Sequence, residues 1–198
     1  QYKMQPMGYE YDLINDFAKS QGLKLNIKVA ENPARLIEML EAGEVDVVAY
    51  PIPINNKLKQ EVIYCGREDI SSQVLIQRAN KGDKLLTDVT QLIDKNVYVK
   101  PNTKYSERLK NLDEELGGGI HIQKVENDSI ATEDLIEMVS LGEIPYTISD
   151  DNPARLNKTY YWNINVDLKV SFPQRSSWVV RKSSPDLAKA IDEWASDK

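Results

Sequence analysis

Apolar positions along this chain spell one pattern twice. Leu36, Ile37 and Met39 stand at helical spacing, Gly43 and Glu44 follow, and Val45, Val47 and Val48 make an apolar run. The second statement lies 99 residues on, with Leu135, Ile136 and Met138, then Gly142 and Glu143, then Ile144, Tyr146 and Ile148. Each copy predicts a helix closed by a C′ glycine and fed into a buried strand. Two copies predict two similar α/β lobes, and a cleft between lobes is where a small ligand binds. Helix–glycine–strand is also common in α/β proteins, so the repeat alone leaves a chance likeness open.

The rest of the pattern fills in the lobes. Leu13, Ile14, Phe17 and Ala18 predict a helix over 9–21, stopped at Gly22, and the alternation of Leu23, Leu25, Ile27 and Val29 predicts a half-buried strand. Asn32-Pro33 offers an N-cap and an N1 proline to the helix carrying Leu36, Ile37 and Leu40. A buried strand over 45–49 then runs into a loop over 51–56, and 73–77 is an apolar strand read as the first crossover between lobes. In the second lobe a short helix over 87–92 precedes a strand over 96–100, the turn Pro101-Asn102-Thr103 and a helix over 105–116. Gly117-Gly118-Gly119 ends that helix. No Lys-Ser/Thr follows, so the glycines do not make a phosphate cradle. A strand over 120–125 and the repeated unit come next. Asn152-Pro153-Ala154-Arg155-Leu156 starts a helix with the same five residues as 32–36, and either Asp151 or Asn152 is the expected cap. Residues 166–172 lead back, 178–180 is a strand, and 185–194 is an amphipathic helix. The expected architecture is a two-lobed α/β fold, with lobe 1 formed by 1–77 plus 172–198 and lobe 2 by 78–171. No apolar strand precedes the first helix, which suggests a segment trimmed from something longer, its first strand missing.

Composition narrows the function. A net charge of −6, with no basic cluster interleaved with aromatics, argues against nucleic acid. No apolar run approaches the ~20 residues that span a bilayer. Cys65 is the only cysteine and His121 the only histidine, so neither an internal disulfide nor a structural zinc site can form. Cys65, in Val62-Ile63-Tyr64-Cys65-Gly66, reads as a small buried hydrophobe. The pairs Glu68-Asp69, Glu114-Glu115 and Glu133-Asp134 lie in polar stretches and read as solvated faces. No Glu-Ser pair of the kind used by muramidases occurs. No catalytic constellation, metal or cofactor is expected.

Several segments carry a resemblance. "GYEYDLINDFAKSQGLKLNI", "LIEMLEAGEVDVV" and "KLKQEVIYCGREDISSQVLIQR" resemble the extracellular solute-binding proteins of family 3, with the type II periplasmic binding fold. "NVYVKPNTKYSERLK" resembles that family's strand, Gly-Thr turn and helix, and "GEIPYTISDDNPARL" its Gly-x-hydrophobic-Asp strand. More narrowly, "GEIPYTISD" with "VSFPQRSSWVVRKSSPDLAKAIDEW" is similar to the amino-terminal modules of membrane-bound lytic murein transglycosylases. The resemblance implies a periplasmic or cell-envelope location. With no catalytic constellation, the segment itself is not expected to be an enzyme; the narrower resemblance implies that it is the ligand-binding, regulatory module of one, attached to a C-terminal muramidase-like domain.

Candidate ligand-binding residues follow from the motifs. Asn102, Thr103 and Lys104 stand at a helix N-terminus, a natural receptor for an anion; the Thr103 hydroxyl can cap the helix or meet a ligand. Asp150 stands at a strand's carboxyl end, and in the family's amino-acid receptors the matching Asp pairs with the ligand ammonium; capping the next helix is the alternative. Those receptors grip the α-carboxylate with a Ser-x-Ser/Thr segment and a following Arg, whereas this chain has Pro51, Pro53 and Leu58 at the matching places. Proline lacks the N–H and the hydroxyl, and leucine cannot make the bidentate fork of arginine. That departure favours a larger ligand, a peptidoglycan-derived peptide or muropeptide, lined by Tyr50, Asn55, Gln174 and Arg175. The alternatives are a stand-alone receptor delivering an amino acid or small polar solute to a transporter, and an inert scaffold that binds a partner protein.

Overall fold

The computed structural model describes residues 9–30 and 34–198. The first elements are α1 (Tyr9–Ser20), α2 (Ala34–Glu41), β1 (Val47–Pro53), α3 (Asn56–Lys59), β2 (Val62–Ser71) and β3 (Gln73–Arg78). A 3-10 turn (Val89–Leu92), β4 (Asn96–Val99), α4 (Lys104–Glu115), β5 (His121–Lys124), α5 (Thr132–Leu141) and β6 (Tyr146–Asp150) follow. The chain ends with α6 (Asp151–Tyr160), β7 (Ile164–Asn165), β8 (Gln174–Arg181) and α7 (Pro185–Ser196). They form two compact units, one of Gln1–Ile70 with Gln174–Lys198, the other of Ser71–Pro173.

The first unit is built on a three-stranded sheet in the order β1-β8-β2. Neighbouring residues of β8 serve opposite faces, as the period of a strand requires. Trp178 and Val180 join Ile14 and Phe17 of α1 and Ala188 and Ile191 of α7, while Val179 joins Leu40 of α2 and Val48 and Ile52 of β1. Trp194 stacks on Trp178 with ring centroids 6.1 Å apart and meets Phe17 edge-on at 5.6 Å.

The second unit has a five-stranded sheet in the order β5-β4-β6-β3-β7. β4 runs parallel to both neighbours, and β3 lies antiparallel to β6 and β7. Leu75, Val97, Val99 and Ile148 face Leu109 and Leu112 of α4, and Val74 and Ile76 face Leu135, Ile136 and Val139 of α5.

Four sequence expectations change. Residues 23–29 do not form a strand; Leu23 and Val29 are exposed. Alternation marks a half-buried surface, but a strand also needs a neighbour to bond, and no described strand pairs with this stretch. The loop expected from Pro51 to Pro53 belongs to β1, an edge strand whose register with β8 shifts between Val48 and Ile52, where proline's missing N–H is tolerated. The strand 73–77, assigned to lobe 1, pairs with β6 and β7 in the second unit, so the units divide at Ile70/Ser71 and Pro173/Gln174. The helix after β6 begins at Asp151, which makes Pro153 its third residue; the first-turn N–H groups have no intrahelical partner, so proline is accommodated there. The Asn32-Pro33 cap lies outside the described residues.

Candidate ligand-binding site

The carboxyl ends of the parallel strands β4 and β6 run into α4 and α6, the end of an α/β sheet at which ligands are held. Asn102 takes the left-handed conformation, φ +59°, which Asn tolerates better than other side chains. Thr103 then caps α4. Its Oγ1 accepts from the Ser106 N–H at 3.2 Å and donates to the Lys100 carbonyl at 2.8 Å, while the Thr103 N–H donates to Ser106 Oγ at 3.2 Å. Of the two roles open to this hydroxyl in the sequence, the fold uses it for the cap.

Lys104, the first residue of α4, sends its Nζ to Asp150 Oδ2 at 2.5 Å, with side chains 36% and 20% exposed. The same ammonium lies 5.5 Å from the centre of the Tyr105 ring. Asp150 occupies the N-cap position of α6, but its side chain caps nothing. The expectation that Asp151 or Asn152 would cap this helix is therefore corrected, since both lie within it. The Asp151 carboxylate instead receives Arg155, one turn on, at 3.2 Å.

Gln73 was not anticipated. It faces Asp150 across the β3–β6 ladder, and opposed residues project to the same face with Cβ atoms about 4.5–5.5 Å apart. Its backbone is held by Ser171 Oγ at 2.8 Å and the Val170 N–H at 2.9 Å, and the side chain is 7% exposed. Yet Gln73 Oε1 and Asp151 Oδ1 are buried with no hydrogen-bond partner. Each buried acceptor left without a donor costs about 1–3 kcal/mol. The available signal was a glutamine opening an otherwise apolar run, Gln73-Val74-Leu75-Ile76.

The remaining predicted residues lie in the first unit. Tyr50, on β1, borders a groove of about 750 Å³ bounded also by α1, α2 and residues 23–30. Asn55 Oδ1 accepts from the Leu58 N–H at 2.9 Å and so caps α3. The Ile54 N–H donates to the Arg175 carbonyl at 2.9 Å, which brings Asn55 beside Gln174 and Arg175 at the start of β8. The Arg175 guanidinium pairs with Glu68 at 3.2 Å. The fold thus gathers Asn102, Thr103, Lys104 and Asp150 in one unit and Asn55, Gln174 and Arg175 in the other.

Other reactive groups are accounted for by packing. Burial pushes the Cys65 thiol up to about 12, with the Asp192 charge adding to it, so it stays protonated. His121 is exposed on β5, 3.9 Å from Asp94. Among the described residues no group of three or more His, Cys, Asp or Glu could hold a metal, and no helix is long and apolar enough to cross a membrane.

Comparison with known proteins bears on this geometry. The profile of the bacterial extracellular solute-binding proteins, family 3, matches residues 1–197. The chain is 32% identical over 197 residues to the membrane-bound lytic murein transglycosylase F of Desulfosudis oleivorans, covering 98% of this chain and 41% of that protein. It is 27% identical over 175 residues to the protein of the same name from Pseudomonas fluorescens, covering 87% and 35%. The chain thus spans less than half the length of these curated relatives. Among solved structures, arginine-bound truncated ArgBP from T. maritima superposes with a TM-score of 0.77 at 21% identity, covering 100% of this chain and 88% of that one. An ancestral arginine-binding protein bound to glutamine gives 0.74 at 18% identity, covering 100% and 84%. At these identities the likeness is one of fold, the type II periplasmic binding fold that the motifs implied.

Proposed function

Since the chain belongs to the bacterial extracellular solute-binding proteins, family 3, we propose that it is a non-catalytic module that binds a peptidoglycan-derived peptide or muropeptide. In this reading it acts in the periplasm or cell envelope and regulates a lytic transglycosylase domain in the same polypeptide. One observation carries the reading. The places where amino-acid receptors grip a carboxylate hold Pro51 and Pro53, both within an edge strand, and Leu58, packed against the core beside Leu40 and Val62. None can bind a carboxylate through its side chain. The names of the curated relatives supply the link to murein, and the share of their length that the chain covers is that of one module. Ligand would act by its differential affinity for two conformations of the module, the only way a bound molecule can shift such an equilibrium.

A thermal-shift screen tests this, with muropeptides and stem peptides in one set and the twenty free amino acids in the other. A specific ligand at ~100 times its Kd adds about 2.7 kcal/mol to the stability of the folded chain. A response confined to the first set is expected. A response to one free amino acid would overturn the murein reading in favour of a transport receptor.

A further inference from the structure

Both carboxylates at the carboxyl end of β6 are already matched by cations of the chain itself. Asp150 holds Lys104 at 2.5 Å and Asp151 holds Arg155 at 3.2 Å. What remains unmatched is not charge but hydrogen-bonding capacity, in Gln73 Oε1 and Asp151 Oδ1, buried acceptors with no partner. Gln73 is more than nine-tenths buried and stands opposite Asp150 on the same face of the sheet. An ammonium brought to this corner would meet the Lys104 ammonium and find no unneutralised carboxylate. An uncharged N–H would meet an acceptor that lacks a donor, and would add no charge to a balanced cluster.

We propose that this corner of the second unit accepts an uncharged amide N–H and discriminates against a free α-ammonium, so that the ligand is an N-acylated peptide. Lys104 is the specificity residue: it fills from within the place that a ligand ammonium would take. Gln73, whose buried Oε1 lacks a donor, is the acceptor. The inference rests on the peptide-binding reading above and names the form of peptide.

The test is calorimetric titration of the 198-residue chain with the tripeptide L-Ala-D-Glu-L-Lys and with the same tripeptide acetylated at its amino end. The unmodified chain is expected to bind the acetylated form about tenfold more tightly or better, as expected for a buried acceptor satisfied against a like-charge contact made. Lys104→Met releases Asp150 and should erase or reverse that preference, and Lys104→Gln should do the same with a polar side chain retained. Gln73→Leu should weaken the acetylated form while the Lys104 effect persists. Thermal midpoints of all three variants establish that they are folded. Equal or tighter binding of the free-amine tripeptide by the unmodified chain would overturn the inference and leave the peptide reading standing. A preference unchanged in folded Lys104→Met and Lys104→Gln would do likewise. Failure to bind either tripeptide, together with a response to a free amino acid, would overturn both.

Discussion

α2, Gly43 and β1 form one helix–glycine–strand unit, and α5, Gly142 and β6, 99 residues on, form the other. The two glycines have φ of +78° and +79°. Each strand has an antiparallel neighbour, β8 or β3, and each neighbour ends in an arginine. Arg181 donates to the Leu40 carbonyl at 3.1 Å and pairs with Asp46 at 2.9 Å, tying the end of α2; Arg78 pairs with Asp83 at 3.2 Å and lies against Gly142. The likeness therefore extends beyond the letters of the repeat into its surroundings. It stops at the position in the sheet. β6 lies between β4 and β3, whereas among the described residues β1 is an edge strand bonded only to β8. Leu135 and Ile136 are fully buried, but their counterparts Leu36 and Ile37 are half-buried. Three successive residues of β6 are buried, and in β1 only Val48 and Ile52. The same local pattern serves a core in one unit and a margin in the other. The strand ends diverge accordingly, with Asp150 where the first copy has Pro51.

The largest expected effects test this difference in depth. Leu135→Ala should cost about 2–5 kcal/mol, the range for a leucine deleted from a packed core, and Leu36→Ala about half of that or less. Urea unfolding of both variants checks this; equal losses would break the comparison. The glycines come next. Alanine at either position takes a left-handed backbone at about 1–2 kcal/mol. At Gly43 its Cβ would meet nothing within 4 Å, while at Gly142 it would fall on the Arg78 guanidinium. Gly142→Ala should therefore cost more than Gly43→Ala, and the excess should vanish in an Arg78→Ala background, as a double-mutant cycle would reveal.

A smaller effect lies in the strands themselves. Thr147, the counterpart of Val48, is fully buried and donates from Oγ1 to the Tyr98 carbonyl at 2.7 Å. Thr147→Val should lose about 0.5–1.5 kcal/mol, measured by denaturant midpoint, because a central strand uses that hydroxyl to bind its neighbour.

The smallest effect concerns the margin of the first unit and is pH-dependent. Burial holds the Glu10 carboxyl above its usual range, against the lowering by the Trp178 N–H that donates to it at 2.6 Å. A carboxyl raised in the folded state contributes stability that is complete below its unfolded pKa and is lost as pH rises through the folded pKa. Glu10→Gln should thus raise the thermal midpoint at neutral pH, with the gain shrinking as pH falls through the raised folded-state value and gone below 4.5, the ordinary value. In the second unit Asp83 has the opposite sign, since Arg78 holds its carboxyl low.

Much of this was legible before any coordinates. The helices at 9–21, 105–116 and 185–194 followed from apolar spacing, and each lies within a residue or two of its observed bounds. Both repeat glycines were placed correctly at helix ends, because a left-handed C′ residue is a local requirement. The failures share one cause. Residues 23–29 alternate as a strand does, but no described strand bonds them. Pro51 and Pro53 look like a loop but sit where an edge forgives them, and 73–77 joined the second unit because its partners are β6 and β7. In the candidate site, the residue types Thr103, Lys104 and Asp150 were visible, but Gln73 was not, because only strand pairing sets it opposite Asp150.

The sequence by itself determined that this chain would be α/β, that helix, glycine and strand would occur twice, and which family pattern it carries. Those properties depend on side-chain period and backbone sterics over ten or so residues. Only the tertiary structure decided which copy is buried, which strand is central, and that Lys104 neutralises a carboxylate 46 positions away. Strand hydrogen bonds and charge pairs are made with residues distant in the chain, and local periodicity holds no record of those partners.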